Sequence, residues 1–220
     1  MAKKSLILLS TAIFLLLCSC LSVYAAWTKL IGQQTYPSIR MLYPNLWIVQ
    51  TFKLPNASAY LHVVELYLMK NGTIDSLFIG IYEWNTTSAR LGKKLYSQNY
   101  TTLPTSFTIK QFEFSRGVLL KKDVQYALLL IANGIRDANN FNHIALKENN
   151  VDNAYPDGQR YASDNYGQTW VGYSTQDLYF VLYGSWAIDP VAMIVPFIPV
   201  LVLIALLGTA IVMMQRLSKG

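Results

Sequence analysis

Between residues 27 and 189 the apolar positions recur every second residue or form short unbroken runs, and none keeps a helical spacing. Leu61–Met69 is a β-rich run that stops at Asn71-Gly72, and Ser76–Glu83 resumes the same pattern. The pair predicts a hairpin. Thr108–Phe114 alternates apolar and polar residues, as a half-buried strand does. Val124–Ala132 is nearly continuous, which predicts a central strand covered on both faces. Asp177–Gly184 closes the region, and weaker strands are expected at 47–53, 93–97, 143–147 and 158–162. Eight or nine short strands with turn signals between them predict an all-β fold: a jelly-roll-like two-sheet sandwich.

The two ends follow a different pattern. Lys3 and Lys4 precede a long apolar run with a small-residue exit at Val23-Tyr24-Ala25. Residues 1–26 therefore read as a signal peptide cleaved after Ala25 or Ala26. The run from Ser5 to Ala26 is also long enough for an uncleaved signal anchor. Lipidation at Cys20 is a lesser alternative. Residues 191–214 carry no charge and reach across a hydrocarbon core of about 30 Å as a transmembrane helix, with Pro196 and Pro199 in its outer half. Arg216 and Lys219 predict that 215–220 is a cytoplasmic tail and argue against a removed lipid-anchor signal. Trp186 suits the interfacial aromatic belt. The expected plan is an extracellular domain at 27–185, a short stalk at 186–190, and a cell-membrane anchor.

Charge and cysteines reinforce that plan. The chain carries a formal +6, but Lys3, Lys4, Arg216 and Lys219 lie outside the middle segment, which is left at only +2. The excess marks topology, so no nucleic-acid partner is expected. Both cysteines, Cys18 and Cys20, fall in the first apolar run. The displayed domain has no thiol for a disulfide, a Cys metal site or a Cys nucleophile.

The sharpest local motif is Ser163-Asp164-Asn165-Tyr166-Gly167-Gln168-Thr169-Trp170. It resembles the Asp-box, S-x-D-x-G-x-T-W, of sialidases and many β-domain surface proteins, with Asn165 in the aspartate position. A short Asn side chain bonds backbone N–H groups a few residues on, Gly167 permits a positive φ, and Trp170 packs under the turn. The motif is thus a structural turn built on Ser163, Asn165, Gly167 and Trp170 rather than a catalytic mark. Twelve scattered acids show no pair suited to glycoside hydrolysis, and His62 and His143 stand alone, so no enzyme is expected. Asp152, Asp157 and Asp164 share one loop-rich region. They are weak Ca²⁺ candidates through their oxygens, with solvated loop acids the simpler reading and no cofactor expected. Tyr155, Tyr161, Tyr166 and Tyr173 crowd one segment and are candidate glycan contacts; β-propensity alone also explains them. Sequons at Asn56, Asn71, Asn85 and Asn99 number four, where chance gives roughly two. Each falls in an expected turn or edge, where a glycan is accommodated.

The order of these features resembles the sandwich domains of prokaryotic "choice-of-anchor" surface proteins over residues 47–183. The resemblance is carried by Gln50-Thr51-Phe52-Lys53-Leu54-Pro55, by the paired runs 61–69 and 76–83, and by Leu119–Leu128. Tyr155–Trp170 and Asp177–Phe180 complete it. Asp123 stands where the pattern has a turn glycine. The resemblance implies an anchored domain on the outer surface, often carbohydrate-binding-like. The sequons and the cysteine-free ectodomain suit an archaeal host. The expected function is a membrane-anchored surface protein that contacts the envelope, a glycan or a partner protein. A viral envelope glycoprotein and a surface glycoside hydrolase are the alternatives.

Overall fold

The computed structural model describes residues 27–135, 141–151 and 155–187, together with the helical positions Gly208 and Met213. The predicted signal peptide, the 191–214 span and the tail at 215–220 lie outside the described residues, those two positions apart. Among the described residues no helix is long and apolar enough to cross a membrane. The chain divides after Ser185, and the fold below is that of the part preceding the division.

Among the described residues thirteen strands form two antiparallel sheets. In chain order they are β1 (Thr28–Gln33), β2 (Ser38–Leu42), β3 (Trp47–Lys53), β4 (Ala59–Asn71), β5 (Ile74–Asn85), β6 (Arg90–Tyr100) and β7 (Thr108–Leu120). Then come β8 (Gln125–Gly134), β9 (His143–Asn149), β10 (Arg160–Ser163), β11 (Val171–Tyr173), β12 (Asp177–Leu178) and β13 (Phe180–Trp186). One sheet has six strands in the order β11-β10-β3-β8-β5-β6. The other has seven, β1-β13-β4-β9-β12, with β7 added to β4 and β2 to β9. The chain passes back and forth between the sheets, as in a jelly roll, and the expected two-sheet sandwich is the observed fold.

The core lies between the inner faces. Phe52, packed on Tyr126 of the same sheet, meets Phe180 of the other, with Phe52 and Phe180 ring centroids 6.4 Å apart. Each fully buried ring or branched chain contributes roughly 1.5–3 kcal/mol by leaving water. The continuous run in β8 has its expected cause. Tyr126, Leu128 and Leu130 fill the core, while Ala127 and Leu129 are buried on the opposite face. Flanked by β3 and β5, β8 is a central strand.

One expectation is corrected. The runs at 61–69 and 76–83 do not pair as a hairpin. They become β4 and β5, which belong to different sheets: β4 pairs with β7 and β9, β5 with β6 and β8. The reversal at Asn71-Gly72 is real, with Gly72 at φ 65°. A turn residue fixes where the chain reverses; which edges are free decides what it then pairs with.

Candidate functional site

The hairpin of β10 and β11 is held by side chains. Asn165 Oδ1 accepts the Thr169 N–H at 3.0 Å and the Ser163 hydroxyl at 2.8 Å. Ser163 Oγ accepts the Gly167 N–H at 2.9 Å, and Asn165 Nδ2 donates to Thr169 Oγ1 at 2.8 Å. Tyr166 and Gly167 both take positive φ, 59° and 78°. A Cβ at Gly167 would stand 2.9 Å from the Trp47 ring, so the site needs glycine for space as well as for angle. The turn then delivers Trp170 onto Trp84, ring centroids 5.9 Å apart.

That contact belongs to a wider aromatic layer on the outer face of the six-stranded sheet. Strand register places Trp47, Ile131, Phe78 and Asn99 side by side across β3, β8, β5 and β6. A second row runs Tyr161, Val49, Leu129, Gly80. Trp84 lies 4.6 Å from Tyr161 by ring centroid, and with Trp170 and Tyr82 it covers the small residues Val49 and Ala127. An outer sheet face normally alternates to polar side chains. Here it is aromatic, and several rings keep part of their surface in solvent. Trp170 Nε1 is buried with no acceptor among the described residues.

Two clefts flank the layer. One, of about 450 Å³, is lined by Trp47, Ile131, Asn133 and Tyr166, which is 63% exposed and meets Trp47 edge-on. The other, of about 260 Å³, is lined by Tyr161, Trp84, Gln159, Lys53 and Asp157, the last two ion-paired at 3.2 Å.

The four candidate tyrosines are separated by the structure. Tyr161 and Tyr166 reach the aromatic face. Tyr155 does not: it is 8% exposed, its hydroxyl donates to the Lys53 carbonyl at 3.0 Å, and burial pushes its pKa up. Tyr173 faces the opposite way and packs under the Arg160 guanidinium, 4.1 Å from ring to charge. Of the calcium candidates, Asp152 lies outside the described residues and Asp157 is paired with Lys53. Asp164 is exposed in the hairpin turn. Among the described residues no three His, Cys, Asp or Glu side chains group as metal ligands. Asn56 lies in the β3–β4 loop, Asn71 and Asn85 end their strands, and Asn99 sits on the edge strand β6.

Beneath the hairpin lies a buried polar layer that the sequence reading missed. Arg160 is 1% exposed; its Nε stands 3.1 Å from Glu148 Oε2 without hydrogen-bond alignment, and its Nη2 donates to Gln176 Oε1. Burial brings its pKa down to about 10, opposed by Glu148. Glu148 is pushed up by burial, opposed by Arg160 and Arg40. Gln50 Nε2 donates to Asp177 Oδ1 at 2.8 Å, and Asp177 Oδ2 accepts the Tyr155 N–H at 3.0 Å. These groups tie β3 and β10 of one sheet to β9 and β12 of the other, so the aromatic hairpin rests on a fixed base.

No protein-family model matches the chain, and no curated protein matches it. Among solved structures it is similar to a clostridial cysteine protease after propeptide cleavage, with a TM-score of 0.50 at 10% identity. The match covers 73% of this chain and 40% of that one. It is also similar to the cysteine protease and lectin-like domains of a surface-layer-associated protein of Clostridium difficile. That match has a TM-score of 0.44 at 11% identity and covers 68% of this chain and 36% of that one. A third match is infectious bursal disease virus, Gt strain, with a TM-score of 0.33 at 10% identity, covering 74% and 36%. The chain thus spans well under half of each of these three structures. At such identities the shared property is the β-sandwich fold.

Proposed function

We propose that this protein is a membrane-anchored cell-surface binding protein, not an enzyme, whose sandwich contacts neutral glycan on the aromatic face of the six-stranded sheet. The observation that carries this reading is the row Trp47–Ile131–Phe78 with Tyr161 and Tyr166 beside it. Aromatic rings stack on the apolar faces of sugars at little conformational cost. Asn133, Gln159 and Asp157 at the cleft margins supply hydrogen-bonding groups for sugar hydroxyls. The terminal patterns support export through residues 1–26 and anchoring through 191–214, as in the choice-of-anchor proteins the sequence resembles.

A glycan array with Tyr166→Ala tests the site, because that side chain is exposed and bears little on folding. Binding to at least one neutral glycan, weakened about tenfold or more in the variant, is the expected result. Equal binding by the two proteins rejects the site. Protease shaving of intact cells that leaves the domain untouched rejects its display at the surface.

A further inference from the structure

A third cleft, of about 490 Å³, opens where the edge strands β6 and β7 part, and it shares no residue with the aromatic layer. Both strands are irregular there. Opposite β4, the β7 register jumps from Val118 to Glu113 while β4 advances only from Leu61 to Val63, so Phe114–Gly117 bulges out. The β6 register slips twice against β5, between Tyr96 and Lys94 and between Lys94 and Leu91. Bulges at sheet edges re-aim side chains. Here they gather Lys93, Lys94, Arg116 and Lys121 around one opening, with Tyr60 and Leu119 on its wall. Among the described residues none of the four cations stands within 4 Å of a carboxylate. Among the described residues Glu83 is the one acid lining the cleft. Edge lysines also discourage strand pairing, but that role does not require them to converge on a cleft.

The position of this cleft says what faces it. A Cβ at Gly184 would stand 2.0 Å from the Tyr60 carbonyl, so β13 passes directly behind the cleft wall just before it ends at Trp186. Thr28 pairs with Gly184, which puts the start of the domain at the same end. Trp27 stacks on His62, ring centroids 5.3 Å apart, and His62 abuts Gly117 in the β7 bulge. Trp27, Tyr60 and Leu119 are all exposed. Residues 187–190 separate β13 from the apolar run beginning at Val191. Four residues reach at most about 14 Å. If 191–214 is the membrane anchor, a linker this short would keep this end of the sandwich within roughly one or two Debye lengths of the headgroups.

We infer that the β6–β7 cleft and the exposed aromatics beside it dock on the membrane's own anionic lipid, with Lys93, Lys94, Arg116 and Lys121 taking headgroup phosphates. The inference rests on the anchoring read at 191–214. Juxtamembrane cations are attracted to anionic lipid, and Trp and Tyr settle at the interface. Docking fixes the tilt of the sandwich, so that the aromatic face is presented in one orientation rather than tumbling on a tether.

The test uses the full chain in nanodiscs, one set containing 30% phosphatidylglycerol and one of phosphatidylcholine alone, read by hydrogen–deuterium exchange. The expected result is about tenfold slower exchange over residues 114–119 in the anionic discs, lost in the triple variant Lys93→Gln, Arg116→Gln, Lys121→Gln. Equal exchange in the two lipids overturns the docking, as does protection that survives in the variant. Adding oligogalacturonate to the neutral discs separates lipid from soluble polyanion; the same protection appearing there also overturns the proposal. A chain that does not enter nanodiscs at all defeats the anchoring reading instead, so the two failures are distinct. Unchanged exchange in the β3, β8 and β5 core of the variant establishes that it is folded.

Discussion

Gln50 and Asp177 meet across the sandwich: the Gln50 amide donates to the Asp177 carboxylate at 2.8 Å and accepts the Leu178 N–H at 2.8 Å. One side chain thereby satisfies a carboxylate and a backbone donor, both buried, on the opposite sheet. Gln50→Leu keeps the volume and removes both bonds. It leaves two buried polar groups short of a partner, at about 1–3 kcal/mol each. The expected outcome is a urea midpoint lowered by about 1 M or more with an unchanged slope. A midpoint equal to wild type would show that the pair does not hold the sheets together.

Glu148 makes stability depend on pH in a direction opposite to most carboxylates. Burial raises its folded pKa above the ordinary 4.5, against the pull of Arg160 and Arg40. The folded state then keeps a proton that the unfolded chain has already released. Stability from this group is present below about pH 4.5 and declines as pH rises toward the raised folded value. Glu148→Gln removes the titration. The wild-type-minus-variant difference in unfolding free energy should therefore fall with rising pH across that window and stay level above it. A difference that rises with pH would mean that ion pairing with Arg160, not burial, dominates the site.

The strand at 108–114 was legible because buried Phe112 and Phe114 alternate with exposed Gln111 and Glu113, whereas the one at 47–53 is buried almost throughout, Gln50 and Thr51 included. The edge strand β2 was not legible. In Ser38–Leu42 it is Ile39 and Met41 that face solvent, while Arg40 lies half-buried near Glu148. Alternation reveals a strand, but a sequence assigns the apolar residues to the inside, and here a buried acid reverses that choice. For the same reason nothing in the sequence marks Arg160 and Glu148 as buried. The hairpin motif was legible because all its bonds lie within a few residues. The aromatic face was half legible: Tyr161 and Tyr166 were picked out, whereas Trp47 and Phe78 join them only through the register of β3, β8 and β5. Tyr155 and Tyr173 lay equally close in sequence and fold away: Tyr155 sits in the loop before β10, and Tyr173 stands opposite Arg160, one position from Tyr161 and so on the other face.

The turn at Asn165 separates hydrogen bonding from shape. Asn165→Ala loses the acceptor for the Thr169 N–H and for the Ser163 hydroxyl and should cost about 1–2 kcal/mol. Asn165→Asp retains both acceptors, and the Thr169 hydroxyl can rotate to donate in place of the lost amide, so its expected change is within about 0.5 kcal/mol. Thermal unfolding of the two variants checks this order. Equal losses would show that charge at this position costs as much as the missing bonds, against a purely local staple.

The four sequons are not equivalent sites for a glycan. Asn56, Asn85 and Asn99 are exposed. Asn71 is half-buried, and its Nδ2, the atom a glycan would use, donates to the Phe141 carbonyl at 3.1 Å. Its sequon threonine is also tied down, the Thr73 N–H donating to Asn142 Oδ1 at 2.8 Å. A glycan at Asn71 forfeits its own bond and crowds the second contact, at a net cost of about 1 kcal/mol or more. Expression in a glycosylating host followed by peptide mass mapping should give high occupancy at Asn56, Asn85 and Asn99 and low occupancy at Asn71. Occupancy at Asn71 equal to the others would mean that the 71–73 segment opens in the folded protein or is modified before it folds. Asn99 has a further consequence, because it stands directly opposite Phe78 on the outer aromatic row. A glycan there would compete for the row proposed to bind glycan, so in a glycosylating host Asn99→Gln should increase binding of an apolar dye such as ANS; unchanged dye binding would show that the Asn99 glycan does not cover that row.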